Sequence, residues 1–206
     1  MTDTGDGTAP WPPEVTLRGR HVTLEPLGQR HEDDLKAAAA DGDLADLWYT
    51  SVPAPDGVAA EIARRLTLRR AGSMLPFAVV QPDTGRAVGM TTYMNIDAAN
   101  RRVEIGSTWY AASVQRTALN TEAKRLLLGH AFETLDCIAV EFRTHFINHQ
   151  SRRAIERLGA KLDGVLRAHM VMANGTLRDT AVYSITAPEW PMVHAHLDYQ
   201  LNRPRT

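Results

Sequence analysis

The sequence predicts one mixed α/β domain built on a mostly antiparallel sheet of about six to seven strands. Three observations predict it. Residues 76–109 hold three strand-like runs separated by short turns, which makes an antiparallel meander. The apolar period then changes to that of a helix across 120–135 and returns to a strand at Cys137–Phe142. A strand, a helix and a strand form a right-handed crossover, so the two strands flanking it lie parallel. Finally, Asn174-Gly175 joins two further strand-like runs, and Asn-Gly is the strongest short hairpin signal.

Each element follows in order. Residues 1–13 are rich in Gly, Thr, Asp and Pro and read as a tail, so the domain is expected over 14–206. Val15–Leu24 alternates and is β-branched, which suits a strand or hairpin. Residues 31–40 favour a helix. Residues 57–71 are a second, with Val58, Ile62 and Leu66 at helical spacing. Strands are expected at 77–81, 87–95 and 103–109, with turns at Asp83–Arg86 and Asn100-Arg101. Ala123, Leu126, Leu127, Ala131 and Leu135 stripe the crossover helix. A helix at 149–158 stops at Gly159. Strands at 162–172 and 177–186 form the Asn-Gly hairpin. A last helix opens at Pro188, with Trp190, Val193, Leu197 and Leu201 on one face.

Composition narrows the function. The 206 residues carry 23 Lys+Arg against 24 Asp+Glu, a net charge of −1. That balance argues against a protein whose main task is gripping nucleic acid or an anionic membrane. The one cysteine, Cys137, excludes an internal disulfide framework. The first residues lack the basic start and apolar core of a secretory signal, and no apolar run is long enough to span a bilayer. Cytoplasmic residence is the expectation.

Two segments have the residues for chemistry. The loop Ala111–Glu122 leads into the crossover helix, whose first turn presents unpaired N–H groups and the positive end of a dipole to an anion. Arg116 can add a charged contact, and Asn120 is a good N-cap. An ordinary capped helix explains the same residues. The second segment is Asn148–Ala160. Asn148 suits a helix cap, Arg152 and Glu156 can pair at i, i+4, and Arg153 and Arg157 share a face. A solvated basic face explains it equally.

In order and spacing, these segments resemble the GNAT superfamily, and more narrowly the RimJ/RimL-type N-acetyltransferases. The resemblance rests on Glu104-Ile105-Gly106, Gln115–Asn120, Asn148-x-x-Ser151-Arg152-Arg153, Leu158-Gly159-Ala160, Gly164–Arg167, Arg178-Asp179 and Tyr183-Ser184-Ile185. It covers about residues 15–186. It implies a twisted mixed sheet with helices on both faces, and a splayed parallel pair of strands at an acyl-CoA cleft. It implies acetyl transfer from acetyl-CoA to an amine, at a protein N-terminus or on a small molecule, with no metal and in a possible homodimer.

The resemblance also assigns residues. The loop Gln115, Arg116, Thr117, Ala118, Leu119, Asn120 and Thr121 would cradle the pyrophosphate. Ile105, Ser107 and Trp109 would offer backbone to the pantetheine arm. Asn148 would bond that arm, Ser151 would sit beside the thioester sulfur, and Arg153 would reach a phosphate. Glu104 is the candidate general base, with a surface pairing to Arg101 or Arg102 as its alternative. Ser151, or less directly Tyr183, would protonate the leaving thiolate.

One departure from the family pattern matters. Ala118 and Asn120 stand where the pattern has Gly and Gly or Ala. Alanine in a left-handed backbone costs about 1–2 kcal/mol. Either the loop needs no positive φ there, or CoA binding is weakened; a non-catalytic acyl-CoA sensor is the resulting alternative. Other candidates read more simply. Cys137 is expected in the core. His145 and His149 straddle a strand–helix junction rather than forming a metal pair. His194 and His196 lie on different helix faces. Trp48 and Tyr49 either line an acceptor pocket or pack in the core.

Overall fold

The structure, a computed structural model, describes residues 10–43, 45, 47–50 and 52–203. One eight-stranded sheet runs through it in the order β1-β2-β3-β4-β5-β6-β8-β7. The strands are β1 (Leu17–Arg18), β2 (Thr23–Pro26), β3 (Met74–Val80), β4 (Ala87–Asp97), β5 (Arg102–Tyr110), β6 (Ala139–His145), β7 (Lys161–Val171) and β8 (Leu177–Thr186). The helices are α1 (Glu32–Ala39), α2 (Val58–Arg70), α3 (Ala118–Gly129), α4 (His149–Glu156) and α5 (Trp190–Asn202). α3 continues as a π-turn over His130–Thr134, which accounts for the apolar stripe reaching Leu135. Every pairing is antiparallel except β5–β6. The expected crossover around α3 therefore forms, and it adds the parallel pair.

Residues 1–9 of the expected tail lie outside the described residues. Of its last four, Trp11 packs against the core and Pro12 is buried. The chain that follows is fastened by a long-range clamp. The Glu122 carboxylate on α3 accepts the backbone N–H groups of Arg20, His21 and Val22 at 3.0, 2.5 and 3.0 Å. Gly19 is needed there, because a Cβ would lie 2.5 Å from that carboxylate.

Helices cover both faces. Arg65 of α2 donates to Thr92 Oγ1 of β4 at 2.7 Å, while Tyr93 donates to the Leu127 carbonyl of α3 at 2.5 Å. Consecutive strand residues point to opposite faces. So α1 and α2 lie on one side and α3 on the other. Glu104 is paired with Met94, two residues from Thr92, and so projects to the α1/α2 side. β3 is buried at every position because both its faces are covered.

Candidate functional site

The parallel pair is short. Only Arg102↔Ala139, Val103↔Val140 and Glu104↔Glu141 are in register, although both strands continue beyond. From Ile105 onward, β5 has no ladder partner on its β6 side. A gap therefore opens in the sheet directly after Glu104. This is the splay that the resemblance implied. It leaves the backbone groups of 105–109 that face β6 without a ladder partner, while the Ser107 carbonyl is held by Arg65.

Two bulges in the β4–β5 ladder shape its edge. Opposite Thr91, β5 carries two residues, and Ser107 takes a left-handed φ of +48°. The Ser107 carbonyl accepts from the buried Arg65 guanidinium at 3.0 Å. Arg65 is in turn held by Glu61 at 2.7 Å, so α2 braces the bulge. The second bulge is on β4, where Asn95 has φ +46°. Its amide donates to Glu104 Oε2 at 2.6 Å.

Glu104 is buried, 4% exposed. Burial raises its carboxyl above the usual range, and the Asn95 hydrogen bond and the Arg143 charge oppose that rise. Arg143 of β6 stands 3.5 Å from Glu104 and 2.9 Å from Glu141, and Arg102 pairs with Glu141 at 2.5 Å. The sequence alternative, a surface Glu104 paired with Arg101 or Arg102, does not describe this site. Arg101 pairs with Asp136 instead. Gly106 makes room for the carboxylate, because a Cβ there would lie 2.8 Å from Glu104 Oε1 and 2.7 Å from Met94 Sδ.

The mouth of the gap meets the start of α3. Thr117, not Asn120, is the N-cap: its Oγ1 accepts from the Leu119 N–H at 3.3 Å and donates to the Val114 carbonyl at 2.7 Å. The left-handed residue is Arg116, with φ +60°, and Ala118 opens the helix without a positive φ. The strain argument about Ala118 therefore does not apply. Gln115 turns inward, its amide donating to the Tyr110 carbonyl at 3.2 Å. Arg116 and Thr117 are exposed, Leu119 and Thr121 are buried. Capping by Thr117 leaves the N–H groups of Ala118 and Asn120 without intrahelical acceptors, which suits an anion.

Across the gap, Asn148 caps α4, its Oδ1 accepting from the Ser151 N–H at 3.0 Å. Its amide N–H₂ has no hydrogen-bond partner among the described residues. Ser151 and Arg153 lie in the same short helix, Ser151 half-buried and Arg153 exposed. Arg152 and Glu156 do not pair directly. The Tyr183 hydroxyl bridges them, accepting from Arg152 at 2.9 Å and donating to Glu156 at 2.7 Å. Tyr183 and its partner Phe142 belong to the α3 side of the sheet, opposite Glu104.

An acyl-CoA fits what is present. Trp109 Nε1 on β5 and Asn120 Oδ1 on α3 are buried and have no hydrogen-bond partner among the described residues. On the α1/α2 side, His145 ends β6 beneath Trp48 and Tyr49, with ring centroids 5.7 and 6.4 Å away. Trp48 and Tyr49 therefore meet at the site edge rather than in the core. Asn95, Arg143 and Arg65 escaped the sequence reading, because bulges and cross-strand neighbours leave no periodic signal. His149 is exposed on α4, and no metal-holding group of His, Cys, Asp or Glu occurs among the described residues. No helix of the described residues is long and apolar enough to cross a membrane.

Comparisons with known proteins agree with this geometry. The family model described as "Acetyltransferase (GNAT) domain" matches residues 21–161. The chain is 34% identical over 106 residues to "Putative ribosomal N-acetyltransferase YdaF" of Bacillus subtilis (strain 168), a match spanning 52% of this chain and 57% of that protein. A GCN5-related N-acetyltransferase from Brucella melitensis superposes with a TM-score of 0.83 and 34% identity, covering 92% of this chain and 86% of the other. Mycobacterium smegmatis RimJ, solved with CoA-disulfide, shares the fold at a TM-score of 0.73 and 24% identity, covering 90% and 93%. With a gap opening beside a buried carboxylate and a family model spanning most of its length, the chain belongs to the GNAT acetyltransferase family.

Proposed function

We propose that this protein transfers an acetyl group from acetyl-CoA to an amine by direct attack, with a protein N-terminus as the leading acceptor. The observation that carries this reading is the end of the β5–β6 ladder at Glu104↔Glu141, which puts a buried, elevated carboxyl at the lip of the gap. The ribosomal N-acetyltransferase name of the Bacillus subtilis relative supports the choice of acceptor.

Acetyl-CoA, when bound, supplies the acetyl group as a thioester. The protein's residues do the rest. The N–H groups of Ala118 and Asn120, with Arg116, hold the pyrophosphate, and Arg153 reaches a phosphate. Asn148 Nδ2 and the β5 backbone at Ile105, Ser107 and Trp109 orient the arm. Glu104 removes a proton from the acceptor ammonium, directly or through water, and its raised affinity for protons suits that task. β5 N–H groups beyond Glu104 stabilise negative charge on the thioester oxygen. The amine nitrogen bonds the acetyl carbon, the carbon–sulfur bond breaks, Ser151 gives a proton to the thiolate, and the second proton lost by the nitrogen restores the Ser151 hydroxyl. Tyr183, held between Arg152 and Glu156, positions α4. The sensor alternative rested on Ala118 and Asn120 in a strained loop, and both lie in the first turn of a regular helix.

Calorimetric titration with acetyl-CoA, beside CoA and ATP, tests the cleft. Saturable binding of the CoA species alone is expected. Glu104→Gln should lower the acetylation rate far more than acetyl-CoA affinity, and an unchanged rate would remove Glu104 as the base.

A further inference from the structure

His145 is 6% exposed, yet its Nε2 is buried and has no hydrogen-bond partner among the described residues. Its Nδ1 accepts the Ile147 N–H at 3.3 Å, which assigns the ring proton of the neutral imidazole to Nε2. Burial, and next the charge of Arg178, lower its proton affinity, with Asp179 opposing, so the ring is neutral near pH 7. Among the described residues this buried N–H donor therefore has no acceptor. An orphaned donor of this kind is costly, and it calls for an oxygen from outside the chain.

Its place says which oxygen. Residues 141, 143 and 145 of β6 share a face, so His145 projects to the side occupied by Glu104 and Arg143. Trp48 and Tyr49 meet the imidazole edge-to-face. Trp48 is 52% exposed, so it is the part of this cover that an incoming group can displace. A cation is excluded, because the nitrogen is a donor and Arg178 stands nearby. Resting on the acetyltransfer reading above, we propose that His145 is a specificity-determining residue: its Nε2–H donates to an amide carbonyl oxygen of the acceptor, while Trp48 and Tyr49 pack against the flanking chain. A peptide amine meets this requirement and an alkylamine does not.

Steady-state kinetics on the full chain test this with two acceptors. One is a short peptide with a free N-terminus. The other is an alkylamine of similar length without a carbonyl. His145→Phe should raise KM for the peptide by about tenfold or more, as expected for loss of a buried hydrogen bond. Its kcat should stay within about twofold, the pattern of lost ground-state binding. The alkylamine should be unaffected. His145→Gln keeps an N–H donor and should recover most of the peptide KM. Unchanged acetyl-CoA binding by calorimetry would show that the variants keep the fold. An unchanged peptide KM in His145→Phe, or an equal loss on both amines, would overturn the role of His145 while leaving acetyl transfer intact. A wild-type protein that acetylates no amine would overturn the underlying reading and this inference with it.

Discussion

Asn95 reaches across the β4–β5 ladder from a left-handed bulge and donates to Glu104 Oε2 at 2.6 Å. This bond favours the ionised carboxylate, while burial favours the protonated one. The balance sets the pH at which Glu104 ionises.

Removing the bond should be visible in rate. Asn95→Ala takes away a stabilising donor, so the Glu104 carboxyl rises further. The acid limb of kcat/KM against pH should then move to higher pH. Arg143→Gln should move it the same way. A profile that stays in place in both variants would show that Glu104 does not control it.

Gly106 offers a steric test of the same carboxylate. Gly106→Ala would bring a methyl to within van der Waals overlap of Glu104 and Met94. The rate should fall by roughly tenfold or more, since small misplacements of a reacting group are expensive. Acetyl-CoA affinity should change much less. Full activity in this variant would mean that Glu104 tolerates displacement and does not take the proton.

Lys124 of α3 makes a prediction about stability. It is buried with no acidic partner among the described residues, donating to Thr91 and Thr108 hydroxyls at 3.3 and 2.9 Å, and burial lowers its pKa from 10.5 to about 7. Between those two values the unfolded chain binds more protons than the folded one. The free energy of unfolding should therefore rise with pH from about 7 to about 10.5. Below pH 7 both states are protonated and the full penalty applies. Lys124→Met should raise stability at pH 6–7 by roughly 2–4 kcal/mol and flatten this rise. Denaturant unfolding at pH 6, 8 and 10 reads both effects; parallel pH dependence in the two proteins would contradict the argument.

Thr117 links stability to the proposed phosphate end of the cleft. Thr117→Ala removes the α3 cap and should cost about 1 kcal/mol. It should also weaken acetyl-CoA binding, because the first turn of α3 loses its fixed geometry. Ala118→Gly, by contrast, should leave binding nearly unchanged, since Ala118 already has an ordinary helical backbone. A large loss from Ala118→Gly would show that the methyl itself contacts the ligand.

The sequence by itself determined the order of elements and the parallel pair. Apolar periods of two and of 3.6 are local properties, and they placed α2, α3, β4, β5 and β8 within a few residues. Asn174-Gly175 specified its hairpin, with Gly175 at φ +79°. The Asn148 cap of α4 was legible through its spacing, whereas the roles of Glu104 and of the loop before α3 come from the family resemblance and stand as proposals. Only the tertiary structure decided where the β5–β6 ladder stops, that Ser107 and Asn95 sit in bulges, and that Thr117 rather than Asn120 caps α3. It alone put Trp48, Tyr49 and His145 together from a loop and a distant strand. The physical reason is that propensity and periodicity act between chain neighbours. Bulges, gaps and orphaned donors arise from how strands remote in sequence fit against one another, and at each of these places the regular pattern is broken in favour of the site.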